Sequence, residues 1–121
     1  MRRWLLAALV AAFPLSSPAE TRGFTATDLA TLARISEPAL SPDGRQVVFT
    51  LRETDLAGDR GRTDLWLQDV DGRSPPRRLT SNEENDGAAG WAPDGQGVYF
   101  LSSRSGSPQV WYLAIAGGEA T

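Results

Sequence analysis

An all-β fold, built from repeated sheets of short strands, is what this sequence predicts. Three observations carry that expectation. A tight turn feeding a strand, Leu40-Ser41-Pro42-Asp43-Gly44-Arg45-Gln46-Val47-Val48-Phe49, returns 51 residues later as Trp91-Ala92-Pro93-Asp94-Gly95-Gln96-Gly97-Val98-Tyr99-Phe100. A second segment, Asp64-Leu65-Trp66-Leu67-Gln68-Asp69-Val70-Asp71-Gly72, returns 45 residues later as Gln109-Val110-Trp111-Tyr112-Leu113-Ala114-Ile115-Ala116-Gly117. The six-residue difference falls between the paired strands, where the first copy has a long polar loop, Arg52 to Thr63, and the second a short one, Ser102 to Pro108. Loops absorb insertions and strands do not, so the mismatch supports the repeat.

Each turn has a mechanism. Proline fixes φ near the value a type I turn requires, aspartate bonds locally to the backbone, and glycine takes the left-handed exit. The residues that follow are β-branched and aromatic, as a strand favours. A period in the forties to fifties, with several short strands in each unit, is that of a β-propeller blade. The first blade is expected over Pro38–Leu40, Gln46–Leu51, Leu65–Val70 and Arg77–Thr80. Val47, Phe49 and Leu51 share a face, Val48 is apolar as well, and Val98 to Leu101 is continuously apolar. Such full runs suit sheets packed between neighbours on both faces. Trp66 and Trp111 occupy matched positions, which inter-blade packing explains better than a binding role does.

The 121 residues leave room for one small domain at most, and the formal net charge of −3 argues against nucleic acid as a partner. The absence of cysteine removes any disulfide framework or thiolate site, and the absence of histidine removes the commonest general base and metal ligand.

Met1-Arg2-Arg3 followed by an apolar run from Trp4 to Phe13 and the small residues Ser17-Pro18-Ala19 reads as a secretory signal peptide over residues 1–19, cleaved after Ala19. Ten apolar residues fall short of the roughly 20 that cross a bilayer. The expected product is periplasmic or secreted, holds to no membrane after cleavage, and carries a net charge of −5. Residues 20–36 form a lead-in. Thr25-Ala26-Thr27-Asp28 resembles a capping box, and Leu29, Leu32 and Ala33 fall on one face of a short helix over about Ala26 to Arg34. Glu37-Pro38 should stop it, and its expected role is to plug or cover the propeller edge. Residues 37–121 are then the first two blades, the second ending before its fourth strand.

The acidic segment Ser81-Asn82-Glu83-Glu84-Asn85-Asp86-Gly87 invites a calcium reading, because Asn82, Glu84, Asp86 and Gly87 mimic the first half of an EF-hand loop. The twelfth position, which needs a bidentate glutamate, is Pro93. A solvated inter-blade loop is the preferred reading, and Asp69 and Asp71 before Gly72 read as a strand-ending turn.

Taken in order, Phe24 to Leu29, Arg34-Ile35-Ser36-Glu37-Pro38 leading into Ala39 to Gly44, Thr63 to Leu67, Arg77 to Thr80 and Ser102-Ser103-Arg104-Ser105-Gly106 resemble the N-terminal propeller of prolyl oligopeptidase family (S9) serine peptidases, of the bacterial dipeptidyl aminopeptidase or acylaminoacyl-peptidase type. The resemblance spans about residues 24 to 121. It implies a C-terminal α/β-hydrolase domain, outside this chain, whose Ser-Asp-His triad cleaves short peptides while the propeller limits access to it. No member of that triad carries over, since the chain has neither a G-x-S-x-G elbow nor a histidine. Some relatives hold the substrate amino terminus with a propeller glutamate pair. Glu83-Glu84 is a pair, but its inter-blade surroundings do not match that motif. No catalytic, cofactor-binding or metal-binding residue is therefore assigned, and no cofactor is expected. Peptide substrates would be met through the missing domain. Two other readings stand beside this one: a periplasmic TolB-like propeller that binds a protein partner, and a stand-alone small β protein that self-associates through open edges.

Overall fold

The computed structural model describes residues 22–121; the expected signal peptide lies outside them. A six-residue helix α1 (Ala26–Thr31) precedes seven strands: β1 (Arg34–Leu40), β2 (Gln46–Asp55), β3 (Arg60–Asp69), β4 (Arg77–Arg78), β5 (Asp86–Trp91), β6 (Gly97–Ser102) and β7 (Gln109–Ala114). They form two antiparallel meanders, a four-stranded sheet in the order β1-β2-β3-β4 and a three-stranded sheet in the order β5-β6-β7. The all-β, repeated-sheet expectation holds, and the two sheets stand as successive blades.

The two turns that announced the repeat are built as expected. In the first, the Gly44 amide donates to the Ser41 carbonyl (2.9 Å), the Arg45 amide donates to Asp43 Oδ1 (3.0 Å), and Gly44 sits at φ +72°. In the second, the Gly95 amide donates to the Ala92 carbonyl (2.9 Å), the Gln96 amide to Asp94 Oδ1 (2.9 Å), and Gly95 sits at φ +69°. The carboxylate takes an amide that the turn would leave unpaired, and glycine accepts the left-handed φ without a Cβ clash. The Ser41 hydroxyl adds a bond to Asp43 (2.6 Å) that Ala92 cannot reproduce. That hydroxyl and the Arg45 amide hold the Asp43 carboxyl below the ordinary aspartate range.

Several boundaries differ from expectation. The polar stretch Arg52 to Thr63 is not a loop: β2 and β3 stay paired out to Asp55↔Arg60, so the insertion lengthens a hairpin whose turn is only four residues. Polar side chains on a ribbon with two wet faces look like loop in sequence, because no apolar alternation marks them. The helix ends at Thr31, and Leu32 is its extended C-cap, well before Glu37-Pro38. Those two residues instead mark an irregularity inside β1, where the register with β2 shifts between Ser36 and Ala39. The helix touches β2 but buries none of its residues, so it does not cover an edge as expected. Its stability is local: Thr25 and Asp28 close a reciprocal capping box, and Arg22 Nη1 donates to Asp28 (2.9 Å). The Arg22 guanidinium, then the Thr25 hydroxyl and amide, lower the Asp28 carboxyl to a pKa of about 2.

The core lies between the sheets. Antiparallel partners share a face, so Val48, Thr50, Leu65 and Leu67 form one face of the first sheet, and Val98, Phe100, Trp111 and Leu113 form one face of the second. These two faces meet: Val48, Leu65, Val98, Phe100 and Leu113 form the buried cluster, with Ala89 from β5 and Trp91, Trp111, Leu79 and Ile115 at its margin. Apolar burial of this kind contributes about 1.5–3 kcal/mol for each large side chain. Between β3 and β4 the ladder is short, and one side chain and one further backbone bond extend it: the Leu65 amide donates to Thr80 Oγ1 (2.9 Å), and the Leu79 amide to the Leu65 carbonyl (2.7 Å). Thr121 exchanges both backbone bonds with Tyr112 of β7 (2.7 and 2.9 Å).

Candidate functional site

The inner strands β1 and β5 run side by side, and each is kinked at a matched position. Glu37 in β1 and Ala88 in β5, 51 residues apart, have φ of +51° and +52°. The β5–β6 register shifts between Gly87 and Gly90 as β1–β2 shifts between Ser36 and Ala39. A non-glycine residue in this region stores strain of order 1 kcal/mol and needs support. Glu37 supplies it. Its Oε2 accepts from Thr50 Oγ1 (2.9 Å) and from the Ala88 amide (2.8 Å), so one carboxylate ties its own sheet to the kink in the next. In the reverse direction, Trp91 Nε1 donates to the Ala39 carbonyl (2.9 Å).

Beside this tie lies an open cleft of about 400 Å³ between the two sheets, lined by Ser36, Glu37, Thr50, Asn85, Gly87 and Leu101 among others. Its polar groups can bind and orient a ligand. Ser36, Ser102, Ser103, Thr50 and Thr63 bring hydroxyls to its wall, and the 121 residues include no histidine, the commonest general base. What the cleft offers is an open, polar surface between the two sheets.

Two ion clusters are built on buried aspartates, Asp86 at the cleft wall and Asp64 on β3. Asp86, at the start of β5, accepts from Arg104 Nη2 (2.8 Å), and the Arg104 guanidinium lies over the rings of Phe100 (5.1 Å) and Trp111 (5.2 Å). Asp64, on β3, accepts from Arg62 Nε (2.9 Å) and Arg78 Nη1 (3.2 Å), and Arg78 lies over Trp66 (5.0 Å) and also pairs with Glu53. Each sheet thus carries a tryptophan capped by an arginine that a buried aspartate holds. Burial raises the Asp64 pKa above the ordinary aspartate value, and the Asp86 charge adds to the rise against the opposing pull of Arg62 and Arg78. A planar guanidinium suits this place because it can stack and pair at once.

The acidic segment separates on folding. Asn82 accepts from the Glu84 amide (3.0 Å) and Asn85 from the Thr63 amide (3.0 Å), while Glu83 and Glu84 are exposed. Asp86 and Gly87 belong to β5, not to a solvated loop, and Asp86 is fully buried. Gly87 packs its bare Cα against Glu37 and Thr50. The EF-hand-like residues do not converge, and among the described residues no group of three or more acidic side chains could hold a metal ion. Asp69 accepts from Gln46 Nε2 (3.2 Å), and Asp71 from the Arg73 amide (3.0 Å) in a turn where Gly72 sits at φ +70°. The sequence marks Glu37 only as a helix stop beside proline, and its role shows in the bonds it accepts from Thr50 and Ala88.

No helix among the described residues is long and apolar enough to cross a membrane. Comparison with known proteins agrees with this geometry. Residues 28–121 match the TolB beta propeller domain family. The chain is 36% identical over 80 residues to dipeptidyl-peptidase 5 of Porphyromonas gingivalis, covering 66% of this chain and 12% of that one. It is 28% identical over 98 residues to the uncharacterized peptidase YuxL of Bacillus subtilis, covering 79% of this chain and 15% of that one. The chain thus spans well under a quarter of the length of these curated relatives. Among solved structures, TolB of Acinetobacter baumannii superposes with a TM-score of 0.53 at 27% identity over 70% of this chain and 20% of its own. The AtxE2 isopeptidase superposes with a TM-score of 0.67 at 22% identity over 78% of this chain and 19% of its own, a likeness of fold alone. The resemblance to prolyl oligopeptidase family peptidases is matched by these peptidase relatives, and the chain belongs to the TolB β-propeller domain family.

Proposed function

We propose that residues 37–121 are the first two blades of the propeller of an exported serine peptidase that cleaves short peptides, residues 1–19 being its signal peptide. The observation that carries this reading is the similarity to dipeptidyl-peptidase 5 across most of the described chain. The chain's own chemistry assigns it a part in that protein. With no histidine and no nucleophile elbow it cannot supply a triad, so hydrolysis belongs to an α/β-hydrolase domain elsewhere in the polypeptide. The propeller's part is to admit short or unfolded peptides and turn folded proteins away. The polar cleft beside Glu37, at the inner rim, is where such a peptide would first be met.

The test is hydrolysis by the protein expressed from its entire reading frame. Dipeptidyl and short-peptide substrates should be cleaved, a serine-directed inhibitor should abolish cleavage, and a folded protein of similar sequence content should survive. Cleavage of the folded protein at a comparable rate would remove the gating role. No cleavage of any peptide by the folded product would favour a second reading, a TolB-like module that binds a protein partner, which the likeness to the TolB structures supports.

A further inference from the structure

The long β2–β3 hairpin carries unlike charge on its two faces. On one face Arg62 lies opposite Glu53 and Arg60 opposite Asp55, with Asp64 following on β3. Arg78 joins them from β4, and Asp64 and Glu53 tie Arg62 and Arg78 into ion pairs. The other face continues the wall of the cleft. There Ser36 lies opposite Thr50, Arg34 opposite Arg52, and Arg52 opposite Thr63. Ser36, Thr50 and Thr63 line the cleft, and the two arginines come next on the same face, about 7 Å further along the strands. Both are exposed, and among the described residues neither forms an ion pair. Glu37, the acid that reaches this face, is bonded to Thr50 and to the Ala88 amide instead.

Like charges directly opposite each other across two strands repel, a cost that the hairpin's other face avoids by interlacing acids with arginines. The pair is nonetheless seated. The Arg52 guanidinium lies over Gly61, where a Cβ would stand 2.1 Å from Nη2. Glycine weakens a strand interior, and here it opens the space that the guanidinium occupies.

We propose that Arg34 and Arg52 bind an acidic side chain of a peptide lying in the cleft, so that the protein prefers peptides carrying aspartate or glutamate. This specificity rests on the peptide-binding part of the reading above and adds the class of peptide to it. Two planar guanidiniums at cross-strand spacing offer forked donors to both oxygens of a carboxylate, and a carboxylate between them turns their repulsion into attraction. Continuity with the cleft wall makes a peptide the occupant. A chain extended along Ser36 and Thr50 comes beside the guanidiniums within about two residues.

The test uses the protein expressed from its entire reading frame and short peptides amidated at the C-terminus, matched except that one position is aspartate or asparagine. The ratio of the aspartate to the asparagine peptide is read in kcat/KM where they are cleaved and in affinity where they are not. At low salt it should exceed about 5, and it should fall as salt is added. The double variant Arg34→Gln/Arg52→Gln should bring it to about 1. Gly61→Ala keeps every charge but displaces the Arg52 guanidinium, and should lower the ratio by about 2-fold or more. Arg60→Gln removes the same charge from the hairpin's other face and should leave the ratio where it was. A wild-type ratio near 1, no binding of either peptide, or an equal loss with Arg60→Gln would overturn the proposal. So would a double variant that keeps the ratio and lowers the melting temperature, which would pair the arginines with a carboxylate elsewhere in the polypeptide. Selective binding without cleavage removes the peptidase reading and leaves this one, and cleavage with a ratio near 1 does the reverse.

Discussion

Glu37 Oε2 lies 2.8 Å from the amide of Ala88, and the two residues, 51 apart in the chain, hold the same left-handed backbone angle in successive inner strands. The carboxylate also takes the Thr50 hydroxyl, so the first sheet's kink supports the second's. Replacing Glu37 with alanine leaves the Ala88 amide without its partner and releases Thr50. A loss of about 1–3 kcal/mol in urea unfolding is expected. Glu37→Gln should lose less, since an amide oxygen can still accept. Equal stability of wild type and Glu37→Ala would show the tie to be incidental.

Ala88 itself is a site where less is better. At φ +52° a Cβ costs strain that glycine does not pay, so Ala88→Gly should raise stability by up to about 1 kcal/mol. The matched change Glu37→Gly should not, because it removes the tie along with the strain. The comparison of the two midpoints separates backbone strain from hydrogen bonding.

How much of this was legible in the sequence can be traced residue by residue. The turns at Asp43-Gly44 and Asp94-Gly95, the paired Trp66 and Trp111, and the offset between them were readable because proline, glycine and aspartate act locally. The hairpin over Arg52 to Thr63 is not, because its polar residues lack alternation and its partners Arg78 and Asn85 are distant in sequence. Asp86 looked like part of a solvated acidic loop. Its partner, Arg104, is 18 residues away, and nothing local signals that the two meet under Phe100 and Trp111. Glu37 was read as a helix stop beside proline. Only the three-dimensional neighbourhood of Ala88 shows what it does.

Arg104 should be among the least replaceable residues on the surface of the second sheet. It pairs with the fully buried Asp86 and stacks on two rings. Arg104→Ala strands a buried carboxylate and should cost about 3–5 kcal/mol. Arg104→Lys keeps the charge but not the planar stack, and should recover only part of that. Full recovery by lysine would show that charge alone matters.

Two aspartates should titrate in opposite directions. Asp28, lowered to about 2 by Arg22 and Thr25, contributes stability that is present above the ordinary aspartate value of 3.8 and lost as pH falls from there toward 2. Asp64, raised by burial, binds a proton more readily folded than unfolded, so its own contribution falls as pH rises above 3.8. Carboxyl chemical shifts followed by NMR should give Asp28 a midpoint near 2 and Asp64 one above 3.8. Asp28→Asn should flatten the acid limb of the stability curve.

Gly97 is the packing position with least freedom. A Cβ there would meet the Tyr112 ring hydroxyl at 2.3 Å and the Leu113 carbonyl at 2.6 Å. The carbonyl is backbone and cannot swing away, so Gly97→Ala should cost about 1–3 kcal/mol in thermal or urea unfolding. Gly106, at φ +98° with open space around it, should show only the cost of the strained backbone.

The function proposed above makes residues 37–121 the first two blades of a serine peptidase's propeller and leaves the chemistry to another part of the polypeptide. Its most direct measurement is to treat the protein expressed from its entire reading frame with a serine-reactive fluorophosphonate and map the modified residue. The account predicts a single labelled serine outside residues 1–121, with hydrolysis lost in step with labelling. A label on Ser36, Ser102 or Ser103, or hydrolysis by purified residues 20–121 alone, would contradict it.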